Sequence, residues 1–288
     1  MTSETILKAA CVQLRSGLQI GASVAAASEL IREAADGGAR YVLTPENTSI
    51  MDEDKARVRA LVGHMGDDEA VRAFAGLAAE LGIWLHIGST PVRPDDDADE
   101  RLANRSILFA PDGKIAAWYD KIHLFDVTLG DGEKDYRESA VIRPGNRAVV
   151  ADAAGVRIGF SICYDLRFPA LYQALARAGA QVMTVPAAFT VPTGQAHWHV
   201  LLRARAIETE SFVLAAGQGG AHENGRATYG HSLIISPWGE ILAEAADEPA
   251  VISAELDMAR VTDMRKRIPV LDNARDFIPP QRASEQTA

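Results

Sequence analysis

Short apolar runs and amphipathic stretches alternate along the chain. "ILKAACVQL" (6–14) predicts a strand and "SVAAASELIREAAD" (23–36) a helix, which ends at Gly37-Gly38. "ARYVLTPE" (39–46) is again strand-like, and Pro45 ends it. A helix over "DDEAVRAFAGLAAELG" and a strand over "IWLHIGSTPV" follow. "SILFAPDGKIAAWY" (106–119) predicts a hairpin folded at Pro111-Asp112-Gly113. The order then recurs. "VRIGFSICY" predicts a strand, "FPALYQALARAG" a helix, "AQVMTVPAA" a strand, "QAHWHVLLRARAIETES" a helix and "FVLAAGQ" a strand. "HSLIISPWGEILAEA" (231–245) turns as a hairpin, and "AVISAELD" with a short C-terminal helix closes the pattern.

Each half thus reads strand–helix–strand–helix–strand–hairpin. Such alternation implies parallel strands joined by crossover helices, with the hairpins adding antiparallel strands. The expected class is α/β. Two sheets, each with helices on one face, would stack as a four-layer α-β-β-α sandwich of two similar βαβαβ-hairpin halves. No linker-like segment separates the halves, so residues 1–288 are expected to form a single domain, with a core over about 6–277 and a tail over 278–288. The least regular piece is residues 126–149, a long polar connection, and such loops inside domains are often functional.

Composition adds exclusions. The 39 acidic and 29 basic residues give a net charge of −10, the wrong sign for a general nucleic-acid or anionic-membrane binder. No apolar stretch reaches a transmembrane length. The two cysteines, Cys11 and Cys163, cannot build a disulfide framework and no secretory leader precedes them, so a reducing cytoplasm with free thiols is the expectation.

Cys163 ends an apolar strand just before a helix, a turn that can present a nucleophile; Cys11 has an apolar setting and reads as core. The G-x-S-x-G elbow and a papain-type surround are both missing. His123, His197, His199 and His231 are open as bases. His197 and His199 as a metal pair are disfavoured, since i and i+2 on a helix face different ways and no H-E-x-x-H or C-x-x-C pattern supports them; no metal and no cofactor is expected. Glu46 after "YVLTP" and Lys121 after "IAAWYD" share the strand-end placement of Cys163.

"TPE" (44–46), "YDKIHLFD" (119–126) and "GFSICYDLRFPALYQALARAGA" (159–180) resemble the three signature blocks of the nitrilase, or carbon–nitrogen hydrolase, superfamily. "GQAHWHVLLRARAIE" and "YGHSLIISPWGEILA" resemble its amidase branch, which includes omega-amidase and deaminated-glutathione amidase, and "GQGGAHENGRATYGHS" leans toward the latter. Gln195 departs from that branch's "TGPAHW", a difference bearing on substrate preference. The resemblance implies the α-β-β-α sandwich and a Glu46–Lys121–Cys163 triad. Glu46 would take the proton from Cys163 and return one to the departing ammonia, Lys121 would stabilise the thiolate and, with the backbone N–H of Tyr164, the oxyanion, and Glu138 would complete the site; for Glu138 the alternative is a charge on the loop surface. It also implies that Arg167 and Thr193 hold a substrate carboxylate; for Arg167 the alternative is an ion pair with Asp165. The implied activity is hydrolysis of a small carboxylate-bearing amide through a thioester, releasing ammonia, by a homodimer that pairs through its helices. Omega-amidase and N-carbamoyl amino-acid hydrolase activities are the alternatives within the superfamily. A redox-sensing thiol protein is the alternative outside it.

Overall fold

The computed structural model describes residues 5–95, 99–128 and 135–280. Along β1 (Ile6–Gln13) the side chains alternate between two apolar clusters. Leu7, Ala9 and Cys11 join side chains such as Ile158, Met183 and Ile235, which belong to the second half of the chain. Ala10 and Val12 join Ile31 and Phe74, on helices of the first half. A period of two thus gives one face of β1 to another sheet and the other face to helices, which defines the layers.

The first half runs β1, α1 (Ile20–Asp36), β2 (Tyr41–Leu43), α2 (Lys55–Leu61), α3 (Glu69–Leu81), β3 (Trp84–Val92), β4 (Ala103–Phe109) and β5 (Ile115–Asp120). A pair of two-residue strands, β6 (Asp126–Val127) and β7 (Tyr136–Arg137), leads to β8 (Val150–Ala153), β9 (Val156–Phe160), α4 (Pro169–Arg177), β10 (Val182–Thr184), α5 (Val191–Thr209) and β11 (Phe212–Ala215). The small pair β12 (Gly219–Ala221) and β13 (Ala227–Tyr229) precedes β14 (Leu233–Ile235), β15 (Ile241–Glu244), β16 (Ala250–Asp257), α6 (Met258–Arg267) and α7 (Val270–Asn273). One six-stranded sheet has the order β16-β1-β2-β3-β4-β5 and the other β15-β14-β11-β10-β9-β8. β1, β2 and β3 are mutually parallel, as are β9, β10 and β11, while the flanking strands are antiparallel. The expected α-β-β-α sandwich is what forms.

Three features differ from the sequence expectation. β16 does not close the second half; it pairs antiparallel with β1, from Ile6 opposite Asp257 to Gln13 opposite Ala250. Alternation marks a strand but does not name its partner. α2 was not expected, because only Val58 in it is buried; its start is set by Asp54, whose carboxylate accepts from Ala56 N and Arg57 N. The connection over 126–149 holds β6, β7 and a 3-10 turn at Glu138–Ala140, with residues 129–134 of it outside the described set, as are 281–288 of the tail. No helix among the described residues is long and apolar enough to cross a membrane.

Candidate active site

Strands from both halves end at one place. β2 exits through Thr44-Pro45-Glu46, β5 through Lys121, and β9 through Ser161-Ile162-Cys163. Their convergence requires close backbone approach at Gly88 in β3: a Cβ there would lie 2.0 Å from Thr44 O and 2.3 Å from Pro186 Cβ. Cys163 itself is held at φ +51°, in the left-handed region, and opens a 3-10 turn, Cys163–Arg167, that runs into α4 with Pro169 at its first turn. A non-glycine residue there costs on the order of 1–2 kcal/mol. The bond from Cys163 N to Pro186 O, 2.8 Å, helps hold the turn.

The three strand-end side chains are buried, Glu46 at 4%, Lys121 at 2% and Cys163 at 8% exposure. Lys121 Nζ donates to Glu46 Oε1 at 2.8 Å and to both oxygens of Glu138, at 3.1 and 2.9 Å. Glu46 also accepts from Asn104 Nδ2 (2.9 Å) and Ala188 N (3.0 Å). Glu138 accepts from Phe125 N at 2.7 Å and from Asn104 Nδ2 at 3.3 Å, so it is no loop-surface charge.

Charge balance fixes the resting protonation state. Burial alone would raise the Glu46 carboxyl, but the Lys121 ammonium, their hydrogen bond, the Cys163 thiol and the Arg226 charge together hold it below its ordinary value. Burial works against the Lys121 ammonium too, yet Glu138, Glu46 and Cys163 keep it well above its usual range. The Cys163 thiol is pushed well up, first by burial and then by the Glu46 charge, and Lys121 opposes this only in part. The site holds a neutral thiol beside an ionised carboxylate and an ammonium.

Asp165, fully buried, ties the lysine and cysteine segments together. It accepts from Ile162 N (2.9 Å), Tyr119 Oη (2.7 Å), His123 N (3.0 Å) and His123 Nδ1 (2.6 Å). The His123 ring stacks on Phe168 at 3.6 Å. Asp165 is thus committed, and Arg167 does not pair with it. Arg167 Nη1 instead meets His197 Nδ1 at 3.2 Å, and its guanidinium lies 5.5 Å from the Phe189 ring. Thr193 Oγ1 is 2.8 Å from Thr190 Oγ1. The Tyr164 N–H makes no backbone hydrogen bond among the described residues.

All seven residues singled out from the sequence line one cavity of about 490 Å³. Asn104, Asn224 and Arg226 line it as well and were not anticipated. Arg226 donates from Nη2 to Ala188 O at 2.7 Å, while its buried Nε has no partner among the described residues. Nothing local in the sequence marks these three, although Arg226 sits in the quoted "GQGGAHENGRATYGHS". Of the histidines, His123 is engaged by Asp165 and His199 faces Glu244; neither lines the cavity, nor do His197 and His231. Cys11 is fully buried, its thiol pushed far up by burial, and is a poor resolving partner for a redox switch.

Comparison with known proteins places this geometry. A model of the carbon-nitrogen hydrolase family matches residues 8–266. The chain belongs to the carbon–nitrogen hydrolase family. It is 37% identical over 266 residues to the deaminated glutathione amidase of Yersinia enterocolitica, covering 92% of each chain. It is 39% identical over 250 residues to the human deaminated glutathione amidase, covering 86% of this chain and 76% of that one. Its fold is similar to the NitFhit protein of C. elegans, with a TM-score of 0.87 and 34% identity; the match covers 96% of this chain and 66% of that one. As a member of this family the protein is an amidase, a hydrolase of amide C–N bonds.

Proposed function

We propose that the protein hydrolyses a small carboxylate-bearing amide, with the preference of a deaminated-glutathione amidase, and that Cys163 is its nucleophile. One observation carries this reading: Glu46, held by Lys121 at 2.8 Å, and the Cys163 thiol line the same cavity as buried neighbours whose charges act on each other. With the thiol neutral and Glu46 ionised, Glu46 takes the thiol proton as sulfur attacks the amide carbon. Lys121 Nζ and Tyr164 N–H stabilise the oxyanion. The proton passes to the leaving nitrogen, ammonia departs, and a thioester remains on Cys163. Glu46 then removes a proton from water, which attacks the thioester; the acid leaves and the thiol is restored. Glu138 and Asn104 hold Lys121 and Glu46 in register.

Arg167 and Thr193 would bind the substrate carboxylate. Among the described residues no carboxylate pairs with Arg167, and the unpartnered Nε of Arg226 adds positive charge to the same wall. A planar guanidinium donates two parallel hydrogen bonds to such a group. We further infer one domain acting as a homodimer in the cytoplasm. Val200 and Ile207 stand 69% and 43% exposed on α5, an apolar patch suited to a second copy, and both cysteines are free thiols. A sedimentation mass equal to one 30.9 kDa chain would remove the dimer.

Ammonia release across a panel tests the substrate reading. Deaminated glutathione should give the highest kcat/KM, ahead of a 2-oxo-acid amide, an N-carbamoyl amino acid and a neutral short-chain amide. Preference for either of the middle two replaces it with omega-amidase or carbamoyl hydrolase activity.

A further inference from the structure

We propose that His199, His231 and Glu244 form a binding site for a divalent transition-metal ion of the zinc or cobalt type, separate from the catalytic cavity. The three come from different elements: His199 from α5, His231 from the turn before β14, and Glu244 from the end of β15. Their donor atoms all lie within 4.8 Å of one another. Glu244 Oε1 is 2.9 Å from His199 Nε2 and 3.2 Å from His231 Nδ1. Donors about 2.0–2.2 Å from a tetrahedral ion stand roughly 3.3–3.5 Å apart, so small side-chain adjustments suffice. None of the three lines the catalytic cavity.

Two imidazoles and one carboxylate suit zinc, cobalt or nickel, whereas magnesium and calcium prefer oxygen alone. The carboxylate supplies charge that a pair of neutral imidazoles lacks. The His231 backbone is fixed independently of Glu244: its N–H donates to Ala246 O at 2.8 Å, and its carbonyl accepts from Trp198 Nε1 at 2.7 Å. The His231 ring stacks on Tyr229 at 4.3 Å, and the two imidazoles lie 5.9 Å apart, centre to centre. Outer contacts of this kind orient metal-binding histidines. In place of the ion, Glu244 Oε1 accepts from both rings. Binding would replace those two hydrogen bonds, and the proton on each bonding nitrogen moves to the other nitrogen of its ring, so neither imidazole needs to change charge. The side chains are 30–36% exposed, which leaves an entry path and room for water as the fourth ligand.

Such an ion would cross-link α5 to the β14–β15 hairpin. The test is calorimetric titration of the full chain with cobalt(II), after Cys163 has been blocked with iodoacetamide so that its thiol cannot compete. One equivalent should bind with a dissociation constant on the order of micromolar. His199→Ala and Glu244→Gln should each weaken binding at least about tenfold, with each variant's fold verified by its circular dichroism. His64→Ala, at an exposed histidine elsewhere, should bind like the parent protein. Absence of saturable binding up to about 100 μM cobalt, or binding unchanged in both site variants, overturns the proposal.

Discussion

The two halves place the same strand ends side by side but load them differently. In the first half the exit of the middle strand, β2, reads Thr44-Pro45-Glu46; in the second the exit of β10 reads Val185-Pro186-Ala187. The first supplies a carboxylate. The second supplies backbone: Pro186 O receives Cys163 N, and Ala188 N reaches Glu46 Oε2. At the first parallel strand the contrast reverses. β1 runs into Leu14, which is core, whereas β9 runs into the strained Cys163 turn. Repetition of the fold therefore delivers position, and the chemistry is divided. The carboxylate and the ammonium come from one half, the thiol and the backbone donor from the other, so on the proposed mechanism neither half holds a complete site.

The largest effect that division predicts is on turnover. Glu46→Gln keeps the size and most of the hydrogen bonding of the side chain but removes the base, so kcat should fall about a thousandfold with little loss of stability, within the range for general-base removal. Near-normal turnover would return the role of base to a histidine. Lys121→Ala should instead strike stability as well as activity, because it leaves Glu46 and Glu138 buried without their shared cation. The expected loss is about 3–5 kcal/mol in denaturant titration. That loss should be smaller at pH 5 than at pH 8, since the paired carboxyls, once their cation is gone, hold a proton more readily in the fold than in the unfolded chain. An equal loss at both values would mean that the charges do not oppose one another.

Arg167→Ala should lower kcat/KM for a carboxylate-bearing amide by about 2–4 kcal/mol and hardly change that for a neutral amide. Equal losses on both would assign Arg167 to structure. The smallest expected effect is the response to pH. On the proposed mechanism Glu46 acts in its ionised form, and it is held below its ordinary value of 4.5, so activity should be present above that value and be lost as pH falls through the lowered one. Lys121 stays charged beyond its ordinary value of 10.5. For a substrate with no ionisation of its own, kcat/KM should run level from about pH 5 to about pH 9, with no inflection near the histidine value of about 6.5. An inflection there would break the assignment.

The parts legible in the sequence were those written locally. A period of two marked the long strands, helical spacing marked α1, α3, α4 and α5, and charged or sulfur-bearing residues at apolar strand ends marked Glu46, Lys121 and Cys163. What stayed hidden depends on tertiary partners. β16 alternates like any strand, and only its register opposite β1 shows which sheet it completes. Asp165 looks like one charge in a polar cluster until its four donors are seen to come from both the lysine and the cysteine segments. Arg226 and Asn104 reach the cavity from elements distant in sequence. The thiol's resting state was hidden for the same reason: the burial and the Glu46 charge that hold it protonated are visible only in the fold.

The claim beneath all of this is that the second half contributes the nucleophile. Ammonia release by Cys163→Ala, with its fold verified by an unchanged circular dichroism spectrum, tests it most directly. The account predicts no release above background from any amide that the parent protein hydrolyses. Measurable turnover by a folded Cys163→Ala protein would contradict it.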